Sequence, residues 1–178
     1  IKVITGVRRC GKSSLMKTVM EELKEQGVSE EYIILLDLDS KEYKSIKKPE
    51  QLEKEIEKYD CLQGMKYLFI DEIQNVSGFE EVINAYRGEG DYSIFITGSN
   101  SYLLSGELIT KLTGRYIEFE MMPLSFEEYV DMKKYFKGDF SAKAEYSYIG
   151  FKSLKNSGSN SLLFIVIVLS VHMFFCSA

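Results

Sequence analysis

Gly6-Val7-Arg8-Arg9-Cys10-Gly11-Lys12-Ser13 follows the phosphate-binding loop pattern Gly-x-x-x-x-Gly-Lys-Ser/Thr at every fixed position. The β-branched run Ile1-Lys2-Val3-Ile4-Thr5 precedes it as a strand. Residues 14–26 follow as an amphipathic helix, with Leu15, Met16, Val19, Met20 and Leu23 on one face and Gly27 at its C-terminal end. Each position of the loop has a separate physical task. Gly6 and Gly11 permit backbone dihedrals closed to other residues, so successive N–H groups can converge on phosphate oxygens. Lys12 is expected to reach the β- and γ-phosphates, and the Ser13 hydroxyl to ligate Mg²⁺. The helix N-terminus, with Ser14 in its first turn, adds the positive end of a dipole. Gly6, Val7, Arg8, Arg9, Cys10, Gly11, Lys12, Ser13 and Ser14 are thus the expected contacts to a nucleoside triphosphate.

A second motif lies downstream. Tyr67-Leu68-Phe69-Ile70 is an unbroken apolar run, as expected of a strand buried on both faces, and it ends in Asp71-Glu72. In a nucleotide site Asp71 would hold Mg²⁺ through a water, and Glu72 would orient and polarise an attacking water. A carboxylate so placed favours hydrolysis over phosphoryl transfer to another substrate, which requires water to be excluded. The alternative reading is a solvated strand end.

Further strands are expected at 32–36, 92–97 and 116–120, with helices at 49–59, 79–87 and 103–112 and a turn over Gly88-Glu89-Gly90-Asp91. Asp37 and Asp39 read as turn residues at a strand end. Alternation of strands and helices implies parallel crossover units and an α/β fold whose ligands bind beyond the carboxyl ends of the strands. Gly98-Ser99-Asn100-Ser101 then falls at the same edge as the loop. Asn100 is favoured there as a polar contact to the γ-phosphate or attacking water, helix capping being the alternative. Arg115, at a helix-to-strand junction, could be offered to a neighbouring subunit's γ-phosphate or form a surface ion pair.

At 178 residues the chain has room for one sizeable core, and 45% hydrophobic with 28% charged residues is ordinary for a globular protein. A net charge of −5 provides no basic footprint for nucleic acid. Cys10, Cys61 and Cys176 form neither a disulfide framework nor a zinc pattern, and a reducing cytoplasm is the simplest setting. Cys10 reads as an inert loop thiol or, alternatively, as an oxidation-sensitive one.

With these residues in place, the chain resembles the AAA+ ATPases, in particular a prokaryotic group whose loop reads Gly-Val-Arg-Arg-x-Gly-Lys-Ser. The resemblance covers residues 1 to about 135 and extends to Phe69-Ile70-Asp71-Glu72-Ile73-Gln74, Ile96-Thr97-Gly98-Ser99-Asn100-Ser101, Leu112-Thr113-Gly114-Arg115-Tyr116 and Pro123-Leu124-Ser125-Phe126-Glu127-Glu128-Tyr129. It implies a P-loop NTPase fold with a parallel five-stranded sheet in order 5-1-4-3-2, flanked by helices. It also implies Mg²⁺-dependent ATP hydrolysis, Asn100 as the sensor, and Arg115 as a finger supplied in trans within a homo-oligomer. ATP rather than GTP is implied, and the lack of an Asn-Lys-x-Asp motif agrees.

The chain departs from the group at both ends. Family members carry an upstream segment, whereas this sequence begins at Ile1 inside the first strand, so an N-terminally truncated domain is expected over 1–135. Ser125-Phe126-Glu127-Glu128 can open a helix to about residue 136. Residues 136–178 then lose the family pattern: a Ser/Gly/Lys-rich stretch over 141–161 leads to an apolar run over 162–176. Its 15 residues fall short of the roughly 17–25 that span a bilayer. A marginal tail anchor, a buried segment and an out-of-frame peptide are the three readings, the last favoured. His172 reads as incidental. The leading functional expectation is an ATPase; a nucleotide-dependent binding switch with little turnover and a nonfunctional remnant are the alternatives.

Overall fold

In a computed structural model of the chain, residues 1–98, 111–112 and 115–125 are described. Five strands form one parallel sheet: β1 (Lys2–Gly6), β2 (Ile33–Asp37), β3 (Lys66–Asp71), β4 (Tyr92–Thr97) and β5 (Ile117–Met121). Their order is β2-β3-β4-β1-β5, the expected order read from the other edge. Three helices accompany them among the described residues: α1 (Lys12–Glu25), α2 (Pro49–Ile56) and α3 (Phe79–Glu89).

Alternation along the strands divides the core into two layers, because successive side chains leave opposite faces of a sheet. Val3, Leu68, Ile70, Ile94 and Ile96 point to the face covered by α2 and α3, where they meet Leu52, Ile56, Phe79 and Ile83. Ile4, Phe69 and Phe95 point to the other face and meet Leu15, Met16 and Leu23 of α1. Phe69 and Phe95 stack there with ring centroids 4.6 Å apart. All six residues of the central β4 are buried, whereas β5, at the edge, buries only Met121. The chain therefore leaves β1 for one face and β3 for the other, flanking β4. That is the switch arrangement that opens a crevice at the carboxyl ends of strands.

Element boundaries differ from the sequence reading at a few ends. The segment after Ile56 tightens into a 3₁₀ turn over Glu57–Tyr59 instead of continuing the helix to 59. Helix α3 runs through Gly88 and stops at Gly90, whose left-handed φ of 85° is the usual conformation of a residue just past a helix end. The expected turn at 88–91 is thus shortened, because packing of Val82, Ile83 and Tyr86 outweighs the roughly 1 kcal/mol that a helical glycine costs. Helix α2 starts as its sequence suggests: Pro49 is the first helical residue, and Gln51 Oε1 accepts the N–H groups of Lys47 and Lys48 at 2.9 and 3.1 Å. All of the expected helix at 125–136 except Ser125, most of that at 103–112, and the tail lie outside the described residues.

Candidate functional site

The carboxyl end of β1 runs into the phosphate loop. Gly6 has a φ of 146°, and a Cβ there would stand 2.5 Å from the Met121 carbonyl oxygen and 2.6 Å from the Cys10 sulfur. Glycine is thus required by the close approach of β5 as well as by the backbone angle. The loop then turns through left-handed conformations at Arg9 (φ 68°) and Gly11 (φ 102°). The Cys10 N–H donates to the Val7 carbonyl at 3.3 Å. Cys10 itself is buried against Ile4, Leu15 and Met16, which suits the inert reading of its thiol. Val7, Arg8, Arg9 and Ser13 are exposed, and Ser14 is half-buried.

Lys12 is only 6% exposed, and its Nζ donates to the carbonyls of Gly6 and Val7 at 3.0 and 3.1 Å. The ammonium is therefore held inside the loop. Helix α1 begins at Lys12, just after Gly11, with no side-chain cap and no acid in its first turn. No side chain therefore caps its first N–H groups, and the positive end of its dipole lies at the loop.

Two strands away, at about 10 Å by sheet spacing, β3 ends in the carboxylate pair. Asp71 is buried, and the hydroxyl of Thr97 donates to its Oδ1. The same hydroxyl accepts the Glu72 backbone N–H at 3.1 Å. Glu72 adopts a left-handed conformation, φ 57° and ψ 48°, which for a residue with a side chain costs on the order of 1–3 kcal/mol. That twist turns the chain sharply at the sheet edge, so Asp71 stays in the strand while the half-buried Glu72 side chain lies beyond it. Gln74 Nε2 donates to Glu72 Oε2, and the Asn75 N–H donates to the Glu72 carbonyl at 3.0 Å.

The sequence reasoning missed Thr97 and Gln74. A signal for Thr97 existed: it closes the otherwise apolar run Ile94-Phe95-Ile96, and a fully buried hydroxyl must find partners. Asp37 and Asp39 behave as the turn residues they were read to be. The Asp39 N–H donates to Asp37 Oδ1 at 3.0 Å, and Asn75 Nδ2 donates to Asp39 Oδ1 at 2.8 Å. Asn100, the expected sensor, lies outside the described residues, as does Ser99.

Arg115 is not brought to the loop. It is exposed, and its N–H donates to the Leu112 carbonyl at 3.2 Å just before β5. Because Ile117 pairs with Lys2 and Met121 with Gly6, Arg115 sits at the amino edge of the sheet. At about 3.3 Å per residue, the four steps from Ile117 to Met121 alone put the loop more than about 13 Å away along the strands. Within one protomer the register keeps Arg115 at the opposite end of the strands from the loop.

A protein-family model described as "AAA domain" matches residues 1–130. The chain belongs to the AAA domain family. This AAA domain is 46% identical over 134 residues to an uncharacterised protein of Haemophilus influenzae, a match covering 75% of this chain and 34% of that protein. It is 34% identical over 154 residues to an uncharacterised protein of Methanocaldococcus jannaschii, covering 84% of this chain and 31% of the relative. The chain thus spans about a third of the length of these relatives. Among solved structures, a DNA polymerase III gamma subunit-related protein from Thermotoga maritima matches 85% of this chain and 50% of its own, with a TM-score of 0.49 and 15% identity. Family membership assigns a nucleotide-binding, ATPase-like function in general terms. Among the described residues, no helix is long and apolar enough to cross a membrane.

Proposed function

We propose that this AAA domain binds ATP together with Mg²⁺ and hydrolyses it to ADP and phosphate. The observation that carries the reading is the pairing, at one sheet edge, of an uncapped helix N-terminus and loop-held Lys12 with the buried Asp71 and half-buried Glu72 at the end of β3. The donor set fits the metal. An exposed hydroxyl at Ser13 and a buried carboxylate at Asp71 suit a hard cation that takes its remaining ligands from phosphates and waters. Among the described residues, no group of three or more His, Cys, Asp or Glu could hold a metal by itself. When bound, Mg²⁺ supplies neutralisation of charge developing on the phosphoryl oxygens.

The residues of the chain would divide the work as follows. Backbone N–H groups between Gly6 and Ser14, apart from that of Cys10, which is bonded to the Val7 carbonyl, would cradle the phosphates, and Lys12 adds a point charge without loss of side-chain freedom, being already fixed. Glu72 orients a water and accepts its proton. Asn100 contacts the γ-phosphate or that water. Arg115, at the far edge, completes the site only from a neighbouring copy, so turnover is expected to depend on self-association. Residues 1–135 form this catalytic unit in the reading, with 136–178 as an appended linker and apolar tail.

Glu72→Gln tests the assignment. The variant should bind Mg-ATP as the wild type does, while phosphate release falls by about 10²–10⁴, the usual contribution of a positioned base. Unchanged phosphate release would remove Glu72 from the mechanism. If the wild type binds ATP without measurable turnover, the domain acts as a nucleotide-dependent switch.

A further inference from the structure

Thr97 lies outside the phosphate loop and the carboxylate pair, yet its hydroxyl touches both carboxylate residues. It donates to Asp71 Oδ1 and accepts the Glu72 N–H at 3.1 Å, and Thr97 itself is fully buried. A hydroxyl has one hydrogen to donate and lone pairs to accept with, so these two bonds orient it fully. The backbone of β4 adds the position: Thr97 pairs with Ile4 of β1 on one side, and Ile96 pairs with Ile70 of β3 on the other. One side chain therefore sits between the strand that feeds the phosphate loop and the strand that ends in the carboxylates.

We propose that Thr97 is a positioning residue for the metal and hydrolysis half of the site, acting by clamping Asp71 and Glu72 in one arrangement. Its hydrogen occupies Asp71 Oδ1, so the other carboxylate oxygen would be the one available to hold Mg²⁺ through a water. Its lone pair holds the Glu72 amide, which maintains the left-handed conformation of Glu72 just past the end of β3. Without the hydroxyl, the Asp71 carboxylate would lose a donor in a buried setting, and the Glu72 N–H would lose its acceptor. Partners of metal-binding carboxylates usually contribute 10- to 100-fold in metal affinity, which sets the size of the expected effect. The inference rests on the Mg-ATP reading above for its ligand, but the clamp itself can be tested without nucleotide.

The test compares the full chain with Thr97→Val, which keeps the shape and removes the hydroxyl, and with Thr97→Ser, which restores it. In ligand-free protein, amide hydrogen exchange across 71–75 should be faster in Thr97→Val and close to wild type in Thr97→Ser. Calorimetric titration with ATP in EDTA should give equal affinities for all three. Titration of the ATP-bound proteins with Mg²⁺ should require roughly tenfold more metal for Thr97→Val alone. If Thr97→Val does not fold, Thr97→Cys takes its place, and a smaller shift in the same direction is expected. Wild-type exchange and wild-type Mg²⁺ dependence in the folded variant would overturn the proposal. So would equal loss of Mg-free and Mg-dependent binding, which indicates packing alone. Failure of the wild type to bind ATP at all, with the exchange difference intact, would instead overturn the functional reading and leave the clamp standing.

Discussion

The two halves of the candidate site are built by different means. The phosphate loop is shaped chiefly by main chain, with Gly6 and Gly11 in glycine-favoured conformations and a helix start that no side chain caps, and Lys12 Nζ adds a side-chain tie to two loop carbonyls. The carboxylate half is held by side chains, a buried threonine hydroxyl on Asp71 and the Glu72 amide, and a glutamine on the Glu72 carboxylate. A loop made of main-chain geometry tolerates changes in the side chains it turns outward but not in its glycines. A carboxylate pair positioned by hydroxyl and amide groups is sensitive to substitutions that leave the backbone untouched.

That contrast can be broken most severely at Gly6. Gly6→Ala would place a methyl group 2.5 Å from the Met121 carbonyl, against backbone that cannot swing aside. Overpacking of this kind should cost about 3 kcal/mol and lower the melting temperature by several degrees. A variant that melts like the wild type would show that β5 yields, and that the loop is less tightly tied to the sheet than its geometry implies. A gentler change sharpens the contrast at Arg9, which is exposed and left-handed. Arg9→Gly should be neutral or more stable by up to about 1 kcal/mol, as read from denaturant midpoints, because the left-handed penalty disappears. A clear loss of stability would mean that the Arg9 side chain, not the loop backbone, holds the turn.

The smallest effect concerns the strand that feeds the loop. Lys2 is largely withdrawn from water, with Nζ donating to Ser93 Oγ at 2.8 Å and lying 4.9 Å from the Phe95 ring centroid. Burial lowers its pKa from 10.5 to about 8. Between these values the unfolded chain binds more protons than the folded one, so this group makes stability rise as pH increases from about 8. Tyr43, pushed up to about 12 by burial, opposes the trend once unfolded tyrosines ionise, above about pH 10. Denaturation midpoints should therefore climb between about pH 8 and 10 in the wild type and stay flatter in Lys2→Met. Identical slopes would show that Lys2 remains hydrated.

The same division explains what could be read in advance. Main-chain devices leave a residue signature: Gly6, Gly11 and Lys12 announce the loop, and the apolar runs at 67–70 and 92–97 announce strands buried on both faces. Sheet order was available only through resemblance, because alternating elements imply parallel pairing but not which strands become neighbours. Side-chain devices leave a weaker trace. Thr97 is an ordinary strand residue until the pairing of Ile96 with Ile70 of β3 brings its hydroxyl to Asp71, and Gln74 looks like solvent-facing polarity until the left-handed turn at Glu72 folds the chain back. The reach of Arg115 also became clear only from register, which places it at the amino edge and leaves a neighbouring copy as the route by which it could act on bound nucleotide.

The central claim is that the loop around Lys12 binds a nucleoside triphosphate. Calorimetric titration of the full chain with Mg-ATP, beside Lys12→Ala, tests it directly, with phosphate release followed in the same samples. Saturable binding by the wild type, weakened roughly 10- to 100-fold or lost in Lys12→Ala as expected for removal of a charge-assisted contact, is the predicted result. Equal binding by both folded proteins, or none by the wild type, would contradict the account.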